Sequence, residues 1–193
     1  MLKGKQIAAA LSYVLSPIST AFMALLILGL FPLVSPSIPL FHFIIAFFFL
    51  CIFPMIAMLY NHNKGKVDIW VSNKTQRTPF YIIAIIGYML ASFVFSIQQD
   101  PVLYVLTLSY LFVTLTLTIT NLITKVSSHS AGVTGPVTAL SYTYGVSGAF
   151  LFLLLIPVIW ARLKLNAHTL FQLLFGILIS FIVTSVIYLF FYQ

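Results

Sequence analysis

Long apolar runs separated by short polar connections constrain this chain more than any other feature. The stretches at about 18–34, 40–60, 79–97, 102–123 and 168–192 each approach or exceed the roughly 20 residues that carry a helix across a hydrocarbon layer. In that medium every backbone N–H and C=O must be satisfied within its own segment or in a closed barrel, so the runs read as helices. The same argument overrides Thr114-Leu-Thr-Leu-Thr-Ile-Thr120, whose alternation by itself reads as a strand. The fold expected is all-α: a polytopic transmembrane helix bundle of six to seven helical segments, forming a single integral membrane domain over residues 1–193.

Charge is correspondingly scarce. Only 6% of residues are charged, against about 25% in soluble domains, and the mean hydropathy is +1.14. Two acids, Asp68 and Asp100, face nine Lys and Arg, and there is no Glu. This balance excludes paired-carboxylate glycosidases, Asp-rich magnesium sites and carboxylate-bridged di-iron centres. The lone Cys51 excludes an internal disulfide or a cysteine-rich metal site. Any chemistry therefore falls to Lys, Arg and His, and no metal or cofactor is expected.

Two segments need more argument. The first run is led in by Gln6–Ser16, either an extension of the first span or an interfacial helix broken at Pro17. Its length and the lack of a small-residue cleavage site favour an uncleaved helix over a signal peptide. Residues 131–160 form either one crossing or a hairpin turning near Gly145-Val146-Ser147-Gly148, each arm about 15 residues and roughly 22 Å long. Charge placement favours the hairpin, because Lys3, Lys5, Lys64, Lys66, Lys74, Arg77, Lys125, Arg162 and Lys164 then share one face. The positive-inside rule puts that face, with the N-terminus, in the cytoplasm of a cell-membrane protein.

Three segments on the basic face combine cations with polar groups: Asn73-Lys74-Thr75-Gln76-Arg77-Thr78-Pro79, Lys125-Val-Ser127-Ser128-His129-Ser130-Ala-Gly132, and Ala161-Arg162-Leu-Lys164-Leu-Asn166-Ala-His168-Thr169-Leu-Phe-Gln172. Arg offers a planar fork to phosphate and Lys a compact charge. Ser127 or Ser128 is a candidate cap for one helix and Asn166 for another, which would leave His129 and His168 in first turns, where free N–H groups favour anions. The i,i+4 spacing of His168 and Gln172 lets the amide hold the imidazole.

At these residues the chain resembles the type 2 phosphatidic acid phosphatase superfamily, and is identified as a divergent member. The family pattern is K-x6-R-P, then P-S-G-H, then S-R-x5-H-x3-D. Arg162-x5-His168 reproduces the third spacing, Ser128-His129 falls at the end of the second motif, and Arg77-Thr78-Pro79 is a stretched R-P. The matching regions, 73–79 and 125–172, make up about a quarter to a third of the chain. The resemblance implies a metal-independent phosphatase acting on lipid phosphate or polyprenyl diphosphate through a phosphohistidine. His168 would be the nucleophile and His129 the acid and base. Arg77 and Arg162, with Lys74, Lys125 and Ser128, would bind the phosphate. Departures are Ala161 for Ser, Val126-Ser127-Ser128 for Pro-Ser-Gly, Trp70 for Lys, two helices between the first and second motifs, and above all Gln172 for Asp.

Blander readings stand beside this one. The two histidines could cap helices, and the cations could be snorkelling anchors for anionic lipid. His42 and His62 read as interfacial, and no two histidines face each other at mid-membrane depth to hold a haem. The short loops against a bilayer argue against nucleic acid despite a net charge of +7. The expected partners are the bilayer and a lipid phosphate substrate, with homo- or hetero-oligomers open. The competing function is a catalytically impaired relative that binds anionic lipid or serves as an accessory subunit of a membrane complex.

Overall fold

The computed structural model describes residues 2–31, 38–68 and 71–192. It is 85% helical, with no strand among the described residues. Eight helices follow in order: α1 (Leu2–Val14), α2 (Pro17–Leu30), α3 (Leu40–Asn63), α4 (Thr78–Ile97), α5 (Pro101–Ile123), α6 (Ser128–Tyr144), α7 (Val146–Lys164) and α8 (Leu170–Phe191). Five are long and apolar enough to cross a membrane by length and composition; counting the bent pair α1–α2 as one span makes six. The apolar side chains left outside, among them Phe41, Ile56, Phe93, Ile119 and Phe190, suit a hydrocarbon surround.

Local chemistry explains the breaks. Pro17 at the first position of α2 and Ser16, whose hydroxyl accepts from the Ser19 N–H at 3.2 Å, start a new helix at 51° to α1. The lead-in is thus a separate helix. The turn expected at Ser35–Ser37 lies outside the described residues, as does Trp70. In α3, Pro54 has no N–H to donate; the preceding turn widens to a π-helix over Phe48–Ile52, and the Phe53 N–H reaches back to Phe48.

The Thr-rich α5 is helical because its hydroxyls serve its own backbone: Thr116, Thr118 and Thr120 donate to the carbonyls four residues earlier at 2.7–2.9 Å. The 131–160 region is a hairpin. Gly145, at φ 61° and ψ −133°, takes a conformation closed to side-chain-bearing residues and reverses the chain. Its arms are longer than the 15 residues expected, at 17 for α6 and 19 for α7, and the latter is long enough to cross.

The central packing sets α4 and α8 against α5, and α6 against both α8 and α2. The core between them includes Leu25, Leu50, Phe95, Leu103, Leu106 and Tyr188. α1 lies along α7, with Gly4 close to the Lys164 stem. This up-and-down order brings the polar ends of α1, α3, α4, α5, α6, α7 and α8 together at one end of the bundle.

Candidate functional site

The third motif is shaped by how α7 ends. Asn166 takes a left-handed conformation (φ 52°); its N–H bonds to Leu163 at 3.0 Å, and the Ala167 N–H bonds back to Arg162 at 3.1 Å. This is a Schellman turn with Asn at the left-handed position. Asn166 therefore closes α7 rather than opening α8, which corrects the expected cap. The N-cap of α8 is Thr169, whose hydroxyl accepts from the Gln172 N–H at 3.3 Å while Gln172 Oε1 accepts from the Thr169 N–H at 3.2 Å. This reciprocal capping box leaves His168 just before the helix, not in its first turn.

Gln172 also defines the imidazole. Its Oε1 lies 3.1 Å from His168 Nδ1. Because Oε1 already accepts from a backbone N–H, it must be the oxygen of the amide, and Nδ1 must carry the hydrogen. His168 Nε2 is then the ring nitrogen with a free lone pair. The ring is buried, and its pKa falls from 6.5 to about 3, first through burial and then through the charge of Arg77. It is neutral at physiological pH.

The second motif sits on the extended link between α5 and α6. Ser127 caps α6, its hydroxyl accepting from the Ser130 N–H at 3.3 Å, and its own N–H donates to the Gln172 carbonyl at 3.2 Å. Ser130 donates to the Leu173 carbonyl at 2.9 Å, and Gly176 lets α8 approach so closely that a Cβ would lie 2.7 Å from the Ser127 oxygen. Motifs two and three are thus tied through backbone. His129 is buried in the first turn of α6, held by a hydrogen bond with the Ser12 backbone of α1 and within electrostatic range of Arg162, His168 and Arg77. Lys125 donates to the Ala167 carbonyl at 3.0 Å, and Ser128 Oγ lies 2.6 Å from the Tyr81 hydroxyl.

Arg77 supplies the first motif. It is buried, donating from Nε to the Val71 carbonyl at 2.8 Å and from Nη1 to the Val126 carbonyl at 2.9 Å. Val71 holds φ 43°, a conformation that costs a β-branched residue on the order of 1–3 kcal/mol and is retained here where its carbonyl receives the guanidinium. Lys74 turns elsewhere. Its ammonium bonds to the Ile123 carbonyl at 3.3 Å, closing the C-terminus of α5, while Asn121 donates to the Lys74 carbonyl at 2.9 Å.

Of the residues expected to form the site, His129, His168, Arg77, Arg162 and Lys125 converge, and Gln172 holds the His168 ring. Arg162 is buried on the last turn of α7. Lys74 is occupied as a helix-end ligand, and Ser128 meets Tyr81 at the edge of an apolar cavity between α4, α5, α6 and α8. The cations oppose one another. Burial, then Arg77, then Arg162 push the Lys125 pKa below its ordinary value, while exposed Asp68 pulls it back. Asp68 itself accepts from the Ser72 N–H at 2.8 Å and from its hydroxyl at 2.9 Å. Sequence reasoning missed Ser12, Val71 and Tyr81. Tyr81 stands one helical turn after Arg77 and was findable by spacing; the other two act through backbone, which carries no sequence signal. No family model, curated protein or solved structure matches the chain.

Proposed function

We propose that this chain is a membrane-embedded phosphatase for lipid phosphates or diphosphates, working without metal through a phosphohistidine. The observation that carries the reading is the convergence of a neutral His168, its Nδ1–H fixed on Gln172, with Arg77, Arg162, Lys125 and a second histidine at one end of the bundle. In the proposed reaction His168 Nε2 forms a bond to phosphorus as the bond to the lipid oxygen breaks, and His129 gives that oxygen its proton. His129 then takes a proton from water, whose oxygen displaces Nε2 and releases phosphate. Burial, then Arg162, oppose a charge on the His129 ring, and a bound phosphate dianion would offset that field. The arginines and Lys125 stabilise the equatorial oxygens. The basic end would face the cytoplasm.

Two observations favour a second reading. Gln172 fixes the tautomer of His168 but offers no negative charge to stabilise the imidazolium that forms, and Lys74 is already engaged. A protein that binds anionic lipid without turning it over fits those two features. Phosphate release from a panel of lipid phosphates in EDTA, with His168→Ala alongside, separates the readings. Release lost in the variant supports the enzyme, and no release by either protein leaves the binding protein.

A further inference from the structure

The buried faces of α1, α6 and α7 meet in two layers. Leu15 of α1, Val133 and Val137 of α6 and Val158 of α7 pack as one apolar cluster. One turn nearer the basic end each helix changes chemistry: Ser12 stands three residues before Leu15, His129 four before Val133, and Arg162 four after Val158. Positions three or four apart share a helix face, so these polar side chains follow the apolar ones into the same interface. All three are buried, at 2%, 7% and 3% exposure. The Ser12 backbone bonds to the His129 ring, and Gly4, about two turns earlier on α1, meets the Lys164 stem.

The Ser12 hydroxyl is not used within the helix. Buried Ser92 and Ser109 donate to the carbonyls four residues earlier at 2.8 and 2.9 Å, a common outlet for a helical serine. Ser12 makes no such bond to Ala8, and its Oγ has no hydrogen-bond partner among the described residues. Thr184 is in the same state but lies 14 residues into α8 from Leu170, away from the cations. Arg162 carries only donors and cannot accept the Ser12 hydrogen, whereas an oxyanion held by Arg162 can.

We infer that Ser12 is a further phosphate ligand, its hydroxyl donating to a phosphoryl oxygen of the group bound at Arg162 beside His129. The inference rests on the proposed binding of phosphate at the cation cluster. It goes beyond that reading by adding to the site α1, which carries none of the three motifs. A lipid phosphate and free inorganic phosphate present the same oxygens, so the contact is to the phosphoryl group whichever molecule carries it.

The test is equilibrium binding of two probes to the purified full chain in EDTA: inorganic phosphate, and hexadecylphosphonate, whose C–P bond resists hydrolysis. The probe that the wild type binds more tightly identifies the carrier. Ser12→Ala is expected to weaken each probe that binds by about tenfold or more, the range of a hydrogen bond to a charged group. The variant should melt no lower than the wild type, because Ala favours a helix over Ser and an unsatisfied hydroxyl leaves the interior. Ser141→Ala, which removes a hydroxyl bonded to the Val137 carbonyl at 2.7 Å, should leave both affinities unchanged. Unchanged binding in Ser12→Ala overturns the inference and leaves the anion site standing. Weakening of the phosphonate with inorganic phosphate unaffected also overturns it, since the contact is then not to the phosphoryl group. No binding of either probe by the wild type overturns the inference and the anion site together. Release from hexadecyl phosphate is followed in parallel: binding that depends on Ser12 without release keeps the contact and removes the hydrolase.

Discussion

Each end of the bundle holds a buried or half-buried histidine, and the two are treated in opposite ways. At the acidic end, His42 Nδ1 lies 2.8 Å from Asp100 Oδ2, and Asp100 also caps α5 by accepting from the Leu103 N–H at 3.0 Å. The Phe95 ring packs edge-on against His42 at 5.8 Å. Hydrogen bond, cap and packing close that end on itself. At the basic end, His168 Nδ1 meets an amide oxygen at 3.1 Å, and burial, then the cations around it, keep a second proton off the ring. At His42 the partner is a carboxylate supplied by the protein itself. An amide partner orients the ring and brings no negative charge to it.

The largest effect should come from removing the basic-end ring. His168→Ala is expected to lower phosphate release by about 10³-fold or more, while His42→Ala leaves it within about twofold. Equal losses at both ends would break the contrast. Next, Gln172→Glu makes the basic end resemble the acidic one while keeping the capping box. Exchanging a triad carboxylate for an amide costs about 10⁴ in rate. The reverse exchange here should raise kcat by about tenfold or more, read together with a higher His168 pKa by ¹⁵N NMR. Unchanged turnover with a raised pKa would show that charge stabilisation does not limit the reaction.

A third effect follows from the neutral His168. Between pH 6.5 and about 3 the unfolded chain binds a proton on this ring that the folded chain does not. Stability therefore falls as pH drops through that window, by at most about 1.4 kcal/mol per unit, and is fully present above pH 6.5. Melting in detergent should show the wild type losing ground to His168→Ala as pH falls from 6.5 to 4. The smallest effect is expected at the acidic end, where Asp100→Asn should cost about 1 kcal/mol, some 2–4 °C in Tm, with phosphate release unchanged.

Much of this arrangement was legible in the sequence. Apolar length and the demand for internal backbone pairing assign the helices, and the placement of nine basic residues selects the hairpin that Gly145 makes. The convergence of His129, His168, Arg77 and Arg162 follows from those two facts with the motif spacing. What was not legible depends on backbone geometry. Asn166 and Thr169 both favour helix ends, and composition does not say which one stops α7 and which starts α8. Lys74 looks like a phosphate ligand until the carbonyl end of α5 is placed beside it. The hold on His129 comes from the Ser12 backbone, and the π-turn before Pro54 replaces what reads as a continuous helix.

The central claim is that His168 attacks through Nε2 because Gln172 keeps the proton on Nδ1. Rapid quench of His129→Ala with ³²P-labelled lipid phosphate, under alkaline conditions that preserve phosphohistidine, tests it most directly, with ³¹P NMR assigning the nitrogen. The account predicts label on His168, on Nε2, decaying more slowly than in the wild type. Phosphate release with no labelled histidine, or label on Nδ1, would contradict it.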